Sequence, residues 1–385
     1  MQSVRVRLRA RQINYEIQIG SGVLADAGKY ARAALGTTTK RASVISNQKV
    51  FGLFGEQVVR ALGSDGFEVS HWLMKDGERH KSVRSLEQAL SFLGKSGVER
   101  NDAVVALGGG VVGDLAGFAA ATYLRGVAFV QIPTTLLAQI DASVGGKVGV
   151  NLPAGKNLVG AFYQPQLVLI DTNTLQTLPR RELTAGWCEA VKHGAVGDRK
   201  LFDRTVKLLS RCGTDFSLGS AGESQTEVCD TIAAHCRFKA AIVAGDERES
   251  TSRHDARSRK ILNFGHTTAH ALEMVTNYQR FRHGEAVGYG MLVAGELSKN
   301  LGMLAADALE SLQQAVGACG PLPAAEDIEI DRLIAAMKSD KKSVAGSVKW
   351  VLLEALGKAR IVDGSDVGVR VLRHALRNGL RPLKV

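Results

Sequence analysis

The sequence has few cysteines, and none of them stands at a metal-binding spacing. The chain of 385 residues contains five cysteines, and no Cys-x-x-Cys pair occurs among them. An odd number of such cysteines argues against a disulfide framework and against a cysteine zinc site. This composition is typical of a reducing compartment, so we expect a cytoplasmic protein.

Long apolar runs are also absent. No run approaches the roughly 18 apolar residues that a membrane span needs. The first nine residues alternate basic and aliphatic side chains. This pattern predicts an edge strand and not a signal peptide. We therefore expect no membrane partner.

Aromatic residues make up only 5% of the chain, whereas the net charge is +11. Basic residues are dispersed, with denser zones at 253–260 and 370–384. No stretch interleaves aromatic and basic residues in the way that base stacking requires. The composition predicts no nucleic-acid partner, and instead a basic surface with a few anion-binding lysines.

The hydrophobic pattern predicts two domains that differ in their secondary structure. Short aliphatic runs at 42–46, 103–107, 128–132 and 167–170 alternate with helical spacing such as 83–93. This alternation predicts a Rossmann-like α/β domain with a mostly parallel sheet at 1–178. Residues 179–385 are predicted to be mostly helical, with helices near 181–195, 225–244, 266–276, 284–301, 305–316 and 331–337, and with a hairpin strand at 348–353.

A glycine-rich turn follows the predicted strand at 103–107. Gly108, Gly110 and Gly113 match Gly-x-Gly-x-x-Gly, a turn that lets a pyrophosphate approach the start of a helix. The acidic residue expected about 20 positions later is missing, because the next acid after Asp114 is Asp141. The turn therefore predicts a pyrophosphate site that differs from the standard dinucleotide fingerprint. A purely structural tight turn is the alternative.

Two lysines follow glycines shortly afterwards. Lys147 and Lys156 are predicted to lie on glycine-containing loops, where they could bind phosphate or carboxylate as point charges. Neither belongs to a P-loop, because Asp141 and Val148 occupy positions that the motif reserves for glycine and a hydroxyl residue. An ordinary ATPase is therefore not predicted.

Histidines and one acidic residue form the pattern most specific for chemistry. His266 and His270 are four residues apart and share a helical face, and His283 precedes Gly284 at another predicted helix start. Glu189 can supply a carboxylate. Two imidazoles and one carboxylate hold a catalytic metal with an open position, although spacing alone does not choose which histidines are ligands. The other histidines are predicted to be ordinary core or surface residues, namely His71, His80, His193, His235, His254 and His374.

Read together, these segments resemble the 3-dehydroquinate synthase family. The resemblance rests on Gly-Gly-Gly-Val-Val-Gly-Asp, Tyr-Leu-Arg-Gly, Pro-Thr-Thr-Leu-Leu-Ala-Gln, Ser-Val-Gly-Gly-Lys, Gly-Lys-Asn, Glu-Ala-Val-Lys-His-Gly, Asn-Phe-Gly-His-Thr, His-Gly-Glu-Ala-Val and Asp-Lys-Lys. They occur in the family's order over about residues 76–345. The resemblance implies an α/β domain that binds NAD, a helical domain that binds metal and substrate, and a homodimer.

The implied reaction converts 3-deoxy-D-arabino-heptulosonate 7-phosphate into 3-dehydroquinate and phosphate. This is the second step of the shikimate pathway of aromatic amino acid biosynthesis. The family uses NAD and a divalent metal, zinc or cobalt, for a transient oxidation at C5. Phosphate β-elimination, re-reduction, ring opening and an aldol closure follow. NAD is regenerated in each turnover.

The resemblance also implies roles for individual residues. The metal ligands would be Glu189, His266 and His283. Contacts to NAD are implied for Asp76, Gly77, Glu78, Lys81, Gly109, Gly110, Val111, Val112, Gly113, Asp114, Thr134, Thr135, Lys147, Lys156, Thr174, Leu175, Gln176 and Thr177. Substrate contacts and catalysis are implied for Asp141, Lys147, Asn157, Lys192, Lys239, Arg259, Asn263, His270 and Lys341, and Lys156 would also line the pocket. Arg125 would reach the site of a partner subunit.

Two features leave alternatives open. Between Asp246 and Asn263 the chain is longer than the family pattern, and the insert at 250–257 leaves open how Arg259 aligns with the family's arginine. Lys341 and Lys342 both suit the phosphate contact. Other functions are a cyclase of sedoheptulose 7-phosphate or glucose 6-phosphate, a glycerol phosphate dehydrogenase that releases NADH, and a silent NAD-binding protein. Arg259, Asn263, Lys239 and His270 together favour a carboxylate-bearing substrate.

Overall fold

The computed structural model describes residues 13–212, 222–250, 253, 255, 258–342 and 349–381. The edge strand predicted for the first nine residues lies outside these ranges. Across the described residues, no helix combines the length and apolar character that crossing a membrane requires.

The first half of the chain is built around a parallel sheet. Its strands lie in the order β1-β8-β5-β4-β2-β3, and every neighbouring pair is parallel. All residues of the two strands β4 and β8 are buried, as expected where helices cover both faces. The predicted strands are confirmed, and the strands of this sheet are β1 (Glu16–Gly20), β2 (Arg41–Asn47), β3 (Glu68–Met74), β4 (Ala103–Gly108), β5 (Ala128–Pro133) and β8 (Leu167–Asp171).

Helices of the first half cover the two faces of this sheet. One core joins Val104 and Phe129 of the strands to Leu115, and another joins Val44 and Val105 to Val58. Apolar burial on both faces gives the strands their nearly continuous aliphatic character. The helices are α1 (Ala27–Leu35), α2 (Gln48–Val50), α3 (Glu56–Ser64), α4 (Val83–Lys95) and α5 (Gly110–Thr122).

A separate antiparallel hairpin carries the two lysines that were predicted to lie on loops. Its strands are β6 (Lys147–Leu152) and β7 (Gly155–Phe162). The loop prediction was therefore wrong for Lys147 and Lys156, because both lie on strands. The sequence does not predict this hairpin, because its glycines are typical of turns. The hairpin needs them: a Cβ on Gly149 would lie 2.5 Å from the carbonyl oxygen of Val159, so the two strands approach too closely for any side chain there.

The second half is mostly helical, as predicted. The two strands β9 (Lys349–Ala355) and β10 (Lys358–Asp363) form its one described hairpin, which contains the predicted strand. Val168 and Ile170 of the sheet share one hydrophobic core with Trp187 and Met291 of the helices. The division predicted after residue 178 falls between β8 and α6 and stays a prediction. The helices are α6 (Arg180–Gly197), α7 (Arg199–Cys212), α8 (Gly222–Gly245), α9 (His266–Val275), α10 (His283–Asn300), α11 (Ala306–Ala318), α12 (Ile330–Lys342) and α13 (Val369–Gly379).

Candidate active site and metal centre

Three helices bring together the predicted metal ligands. Glu189 lies within α6, whereas His266 and His283 are the first residues of α9 and α10. One donor atom from each of the three residues lies within 4.8 Å of the others. These are the donor types of a catalytic zinc site, which keeps a further coordination position open.

Glycines next to the histidines allow the three helices to meet. A Cβ on Gly284 would lie 1.9 Å from the carbonyl oxygen of Ala185, so α10 begins in direct backbone contact with α6. A Cβ on Gly290 would lie 1.9 Å from the carbonyl oxygen of Gly265, which precedes α9 and has a φ of 80°. The glycines of Phe-Gly-His and His-Gly-Glu are therefore required by close approach, and they set the spacing of the ligands.

An ion pair with a buried carboxylate fixes the start of α10. Glu285 is buried, and Arg181 of α6 donates to both of its carboxylate oxygens at 2.7 and 2.6 Å. The backbone N–H of Arg282 also donates to Glu285, which closes a capping box. The glutamate of His-Gly-Glu thus holds the helix that presents His283, and it is not itself a ligand.

The hydrogen bonds of both histidines leave the same ring nitrogen available. Nδ1 of His266 lies 3.2 Å from the carbonyl oxygen of Phe264, and Nδ1 of His283 lies 3.4 Å from Oε2 of Glu273. Both partners accept a hydrogen bond, so Nδ1 of each ring can keep its proton while Nε2 binds a metal. Burial would lower the pKa of His283, but Glu273 and Glu189 raise it, so a metal at Nε2 of His283 would replace a proton.

The carboxylate of Glu189 also fits a metal. It is buried, and no described residue forms a hydrogen bond of acceptable geometry to Oε2, although Nζ of Lys192 lies 2.5 Å away. A buried carboxylate oxygen with only an ion-pair neighbour has capacity for a cation. Burial, together with the charges of Lys192 and His283, holds the pKa of His266 well below its usual range, so His266 is neutral as a ligand must be.

His270 completes the histidine group without joining the three donors. Its ring centroid lies 5.6 Å from that of His266 and 6.1 Å from that of His283. The structure therefore separates the histidines in the way that spacing alone could not. His270 lies one helical turn from His266, beside the metal group.

Asp141 anchors a second polar cluster. Nζ of Lys239 lies 2.7 Å from Oδ1 of Asp141 and 2.6 Å from its carbonyl oxygen, and Nε2 of His193 lies 3.1 Å from Oδ1. Burial would raise the pKa of Asp141, but the charges of Lys239 and Lys192 and the hydrogen bond from His193 hold it well below its usual range. Burial lowers the pKa of Lys239 despite its partner. Asp141 is therefore ionised at neutral pH.

The glycine turn forms a narrow cradle at the carboxyl ends of β4 and β5. A Cβ on Gly109 would lie 2.9 Å from Cγ2 of Thr135, so a side chain there would have to displace that of Thr135. Helix α5 begins at this turn, as the sequence predicts, so its N-terminus faces the cradle. Ser143 Oγ is buried in the same pocket, and no described residue bonds it. These features fit the phosphates of a dinucleotide.

Lys81 connects this cradle to the hairpin. Its ammonium bonds Oδ2 of Asp114 at 2.8 Å and Oδ1 of Asn157 at 2.6 Å, and it lies 3.4 Å from Glu78. Burial would lower the pKa of Lys81, but the charges of Asp114 and Glu78 raise it. Burial raises the pKa of Asp114, against the pull of Lys81. Asn151 donates to Glu78 at 2.8 Å, which fixes the hairpin to the same cluster.

A third polar group is centred on Glu249. Glu249 forms an ion pair with Lys147 and accepts from Nδ2 of Asn263 at 3.4 Å. Arg259 donates to the carbonyl oxygens of Gly145 and Glu247 at 3.1 and 2.7 Å. Despite the insert before it, Arg259 therefore lies beside the Asp141–Lys147 segment.

Some predicted residues lie apart from these clusters. Arg125 is exposed on a turn with a φ of 67°. Asp76 accepts a hydrogen bond from Nδ2 of Asn47 at 3.1 Å. Thr134, in contrast, lies at the glycine cradle, because its backbone N–H donates to the carbonyl oxygen of Gly108 at 3.1 Å. Of the segment 174–177, Thr174 and Leu175 are buried, whereas Gln176 and Thr177 are exposed. The side chain of Lys341 lies outside the described part of the chain.

Pattern reading missed three residues of the site. His193 is a buried, hydrogen-bonded histidine, as predicted, but its partner Asp141 was not foreseen; its position four residues after Glu189, on the same helical face, was the available signal. Glu273 lies seven residues after His266 on one helix face, which again could have marked it. Glu249 directly precedes the polar insert at 250–257, in a stretch with no periodic signal.

A Glu-His-His group carried by three helices, together with a parallel sheet and its glycine cradle, defines an α/β metalloenzyme with a nucleotide-binding fold. Models of the 3-dehydroquinate synthase N-terminal and C-terminal domains match residues 71–185 and 186–343. The 3-dehydroquinate synthase of Gloeobacter violaceus is 42% identical over 375 residues, which are 97% of this chain and 98% of that relative. The chain therefore belongs to the 3-dehydroquinate synthase family.

Solved structures share the fold over nearly the whole chain. A 2-epi-5-epi-valiolone synthase from Streptomyces hygroscopicus, with NAD+ and Zn2+ bound, is 27% identical and superposes with a TM-score of 0.84 over 96% of this chain and 98% of that one. A 2-deoxy-scyllo-inosose synthase complexed with carbaglucose-6-phosphate, NAD+ and Co2+ is 24% identical, with a TM-score of 0.81 over 95% and 97%. At that identity the second likeness supports the fold alone.

Proposed function

We propose that this protein is a carbon–oxygen lyase that converts 3-deoxy-D-arabino-heptulosonate 7-phosphate into 3-dehydroquinate and phosphate. The observation that carries the proposal is the Glu189, His266 and His283 group, together with the buried lysines Lys192 and Lys239, which pair with Glu189 and Asp141. Membership of the family agrees with this activity. The reaction would serve the shikimate pathway of aromatic amino acid biosynthesis.

NAD and a divalent metal are the cofactors of this proposal. The glycine cradle from Gly109 to Asp114, with Thr134, Thr135, Lys81 and Glu78, would hold NAD; Glu189 and the Nε2 atoms of His266 and His283 would hold zinc or cobalt. When bound, NAD supplies reversible hydride transfer and the metal supplies polarisation of the substrate's hydroxyl oxygens.

The chain's own residues would bind and orient a doubly anionic substrate. Lys192, Lys239 and Arg259 bring cationic groups to Asp141 and the metal group, and each is buried. Buried cations interact more strongly with phosphate and carboxylate than exposed ones, because solvent screens them less. A substrate held at both ends has its reacting carbons fixed, and this positioning is the main contribution we assign to the protein.

His270, Lys147 and Asn263 would complete the substrate site. Lys147 and Asn263 are both held by Glu249, whereas His270 lies beside the metal ligands. Asn157, Lys156 and Lys341 are assigned to the same pocket by their motifs. The ionised Asp141, with Lys239 and His193, would keep a fixed acceptor next to the reacting carbons.

The domain and assembly assignments belong to the same proposal. Residues 1–178 would bind NAD, and residues 179–385 would bind the metal and most of the substrate, in a cytoplasmic homodimer. Leu158 and Phe162 are exposed on β7, and Tyr163 donates to the carbonyl oxygen of Val127 at 2.6 Å, which places the turn of Arg125 beside them. An exposed apolar strand next to an exposed arginine fits a surface that a second copy covers.

A single assay tests the activity. Purified protein with NAD and Zn2+ or Co2+ should release inorganic phosphate from the heptulosonate phosphate, form 3-dehydroquinate, and accumulate no NADH. Removal of the metal by a chelator should abolish phosphate release, and added Zn2+ or Co2+ should restore it.

The same assay separates the alternatives. Phosphate release from sedoheptulose 7-phosphate but not from the heptulosonate phosphate would move the assignment to another cyclase of this fold. Accumulating NADH would indicate a dehydrogenase, and binding of NAD without any turnover would indicate a silent protein.

A further inference from the structure

Glu273 places one carboxylate between two cationic groups from different halves of the chain. Oε2 lies 3.4 Å from Nδ1 of His283 at the start of α10, and Oε1 lies 3.0 Å from Nζ of Lys156 on β7. Glu273 is buried, and it lies on α9, the helix that His266 begins. The carboxylate thus contacts a metal-ligand histidine and the hairpin lysine at once.

The two contacts need both oxygens of an ionised carboxylate. His283 must keep its proton on Nδ1 if Nε2 is to bind a metal, and Glu273 is the acceptor for that proton. Lys156 offers only donors. An amide at this position would have one acceptor oxygen and one donor group, so it could satisfy His283 or Lys156, but not both.

Lys156 is also held by the segment after α9. Its ammonium lies 4.5 Å from the ring centroid of Tyr278, whose backbone N–H bonds the carbonyl oxygen of Glu273 at 2.7 Å. Tyr278 and Asn277 both have positive φ values, of 57° and 52°, which non-glycine residues adopt only at a cost. The strained turn brings the aromatic ring and the carboxylate to the same lysine.

We propose that Glu273 is a positioning residue that holds the ring of His283 toward the metal and the ammonium of Lys156 toward the substrate with the two oxygens of one carboxylate. The proposal rests on the proposed function, because it takes His283 as a metal ligand. Metal binding and the placement of the hairpin lysine are thereby linked through one side chain.

The test compares Glu273→Gln with the wild type in a zinc titration against a chromophoric chelator and in steady-state kinetics. Loss of the carboxylate behind a metal-ligand histidine should raise the zinc dissociation constant by about 10–100-fold. If the amide oxygen faces His283 instead, zinc affinity stays and KM for the heptulosonate phosphate rises at saturating zinc and NAD. Glu273→Asp should recover part of whichever property is lost.

Glu296→Gln is the matched control. Glu296 is a buried glutamate thirteen residues along α10 from His283, roughly 20 Å away, so the same chemical change should leave zinc affinity within twofold. An unchanged zinc affinity and an unchanged KM in folded Glu273→Gln would overturn the proposal. If Glu273→Gln does not fold, Glu273→Asp decides: its carboxylate is one methylene shorter, so we expect a smaller loss of zinc affinity or a smaller rise in KM, and wild-type values of both would overturn the proposal. A wild type that binds zinc but forms no 3-dehydroquinate would instead sink the proposed function.

Discussion

The close contact between α6 and α10 gives a sharp prediction for Gly284→Ala. The added methyl group would lie 1.9 Å from the backbone oxygen of Ala185, and real Cβ contacts essentially never fall below 3.0 Å. Backbone on both sides cannot yield as a flexible side chain would, so α10 must move away from α6 by about 1.1 Å. The shift separates His283, at the start of α10, from Glu189 on α6.

The expected cost follows from this displacement. Overpacking a close contact costs about 1–3 kcal/mol of folding free energy, and a misplacement of about 1 Å at a reacting centre costs about 100-fold in rate. We expect Gly284→Ala to fold but to bind Zn2+ about 100-fold more weakly and to lose about 100-fold in kcat/KM. Zinc competition and phosphate release measure the two effects.

Gly63→Ala is the control for this substitution. Gly63 lies in α3, and a Cβ there would meet nothing within 4 Å, so alanine should leave zinc affinity unchanged and stabilise the helix by about 1 kcal/mol. A Gly284→Ala protein with wild-type zinc affinity and rate would refute the claim that this glycine sets the ligand spacing.

Three further predictions follow from the site and the hairpin. His193→Phe should lower kcat/KM by about 10–100-fold, the value of a hydrogen bond to a charged group, because Asp141 loses a donor; zinc affinity should not change. Burial would raise the pKa of Glu273, but His283 and Lys156 lower it to about 2 from an ordinary value near 4.5. The charged form therefore stabilises the metal-free fold by about 3 kcal/mol above about pH 4.5, and this stabilisation is lost as the pH falls through 2. The free energy of unfolding measured in urea should therefore fall less between pH 4.5 and pH 2 in Glu273→Gln than in the wild type. If a second copy covers β7 as proposed, Phe162→Asp should give monomers in sedimentation, whereas Val369→Asp, at an exposed site on α13, should leave the wild-type assembly unchanged.

The sheet strands and the helices are predicted well where the apolar residues of an element follow a single strand-like or helix-like pattern along its whole length. The strands around Val104 and Leu169 are aliphatic because helices bury both faces, and α8 and α10 have enough length for their spacing to be read. The β6–β7 hairpin was missed because its glycines, required by close strand approach, resemble turn signals.

The site could be predicted only as far as residue types and spacing reach. Glu189, His266 and His283 come together as the family motifs imply, but spacing could not exclude His270, because the choice depends on where α6 and α10 meet. The roles of Glu273 and His193 are set by contacts across the chain, to Lys156 and Asp141, which no local pattern contains.

The placement of the metal ligands at helix starts explains why carboxylates surround them. Each helix N-terminus carries roughly half a positive charge, so α9 and α10 together disfavour a cation where His266 and His283 lie. Glu189, which we propose as a ligand, and Glu273, which contacts the proposed ligand His283, offset this field. The same helix ends favour anions, and Lys192 and Lys156 add to that preference. A site built in this way suits a metal whose open position is taken by hydroxyl oxygens of an anionic substrate.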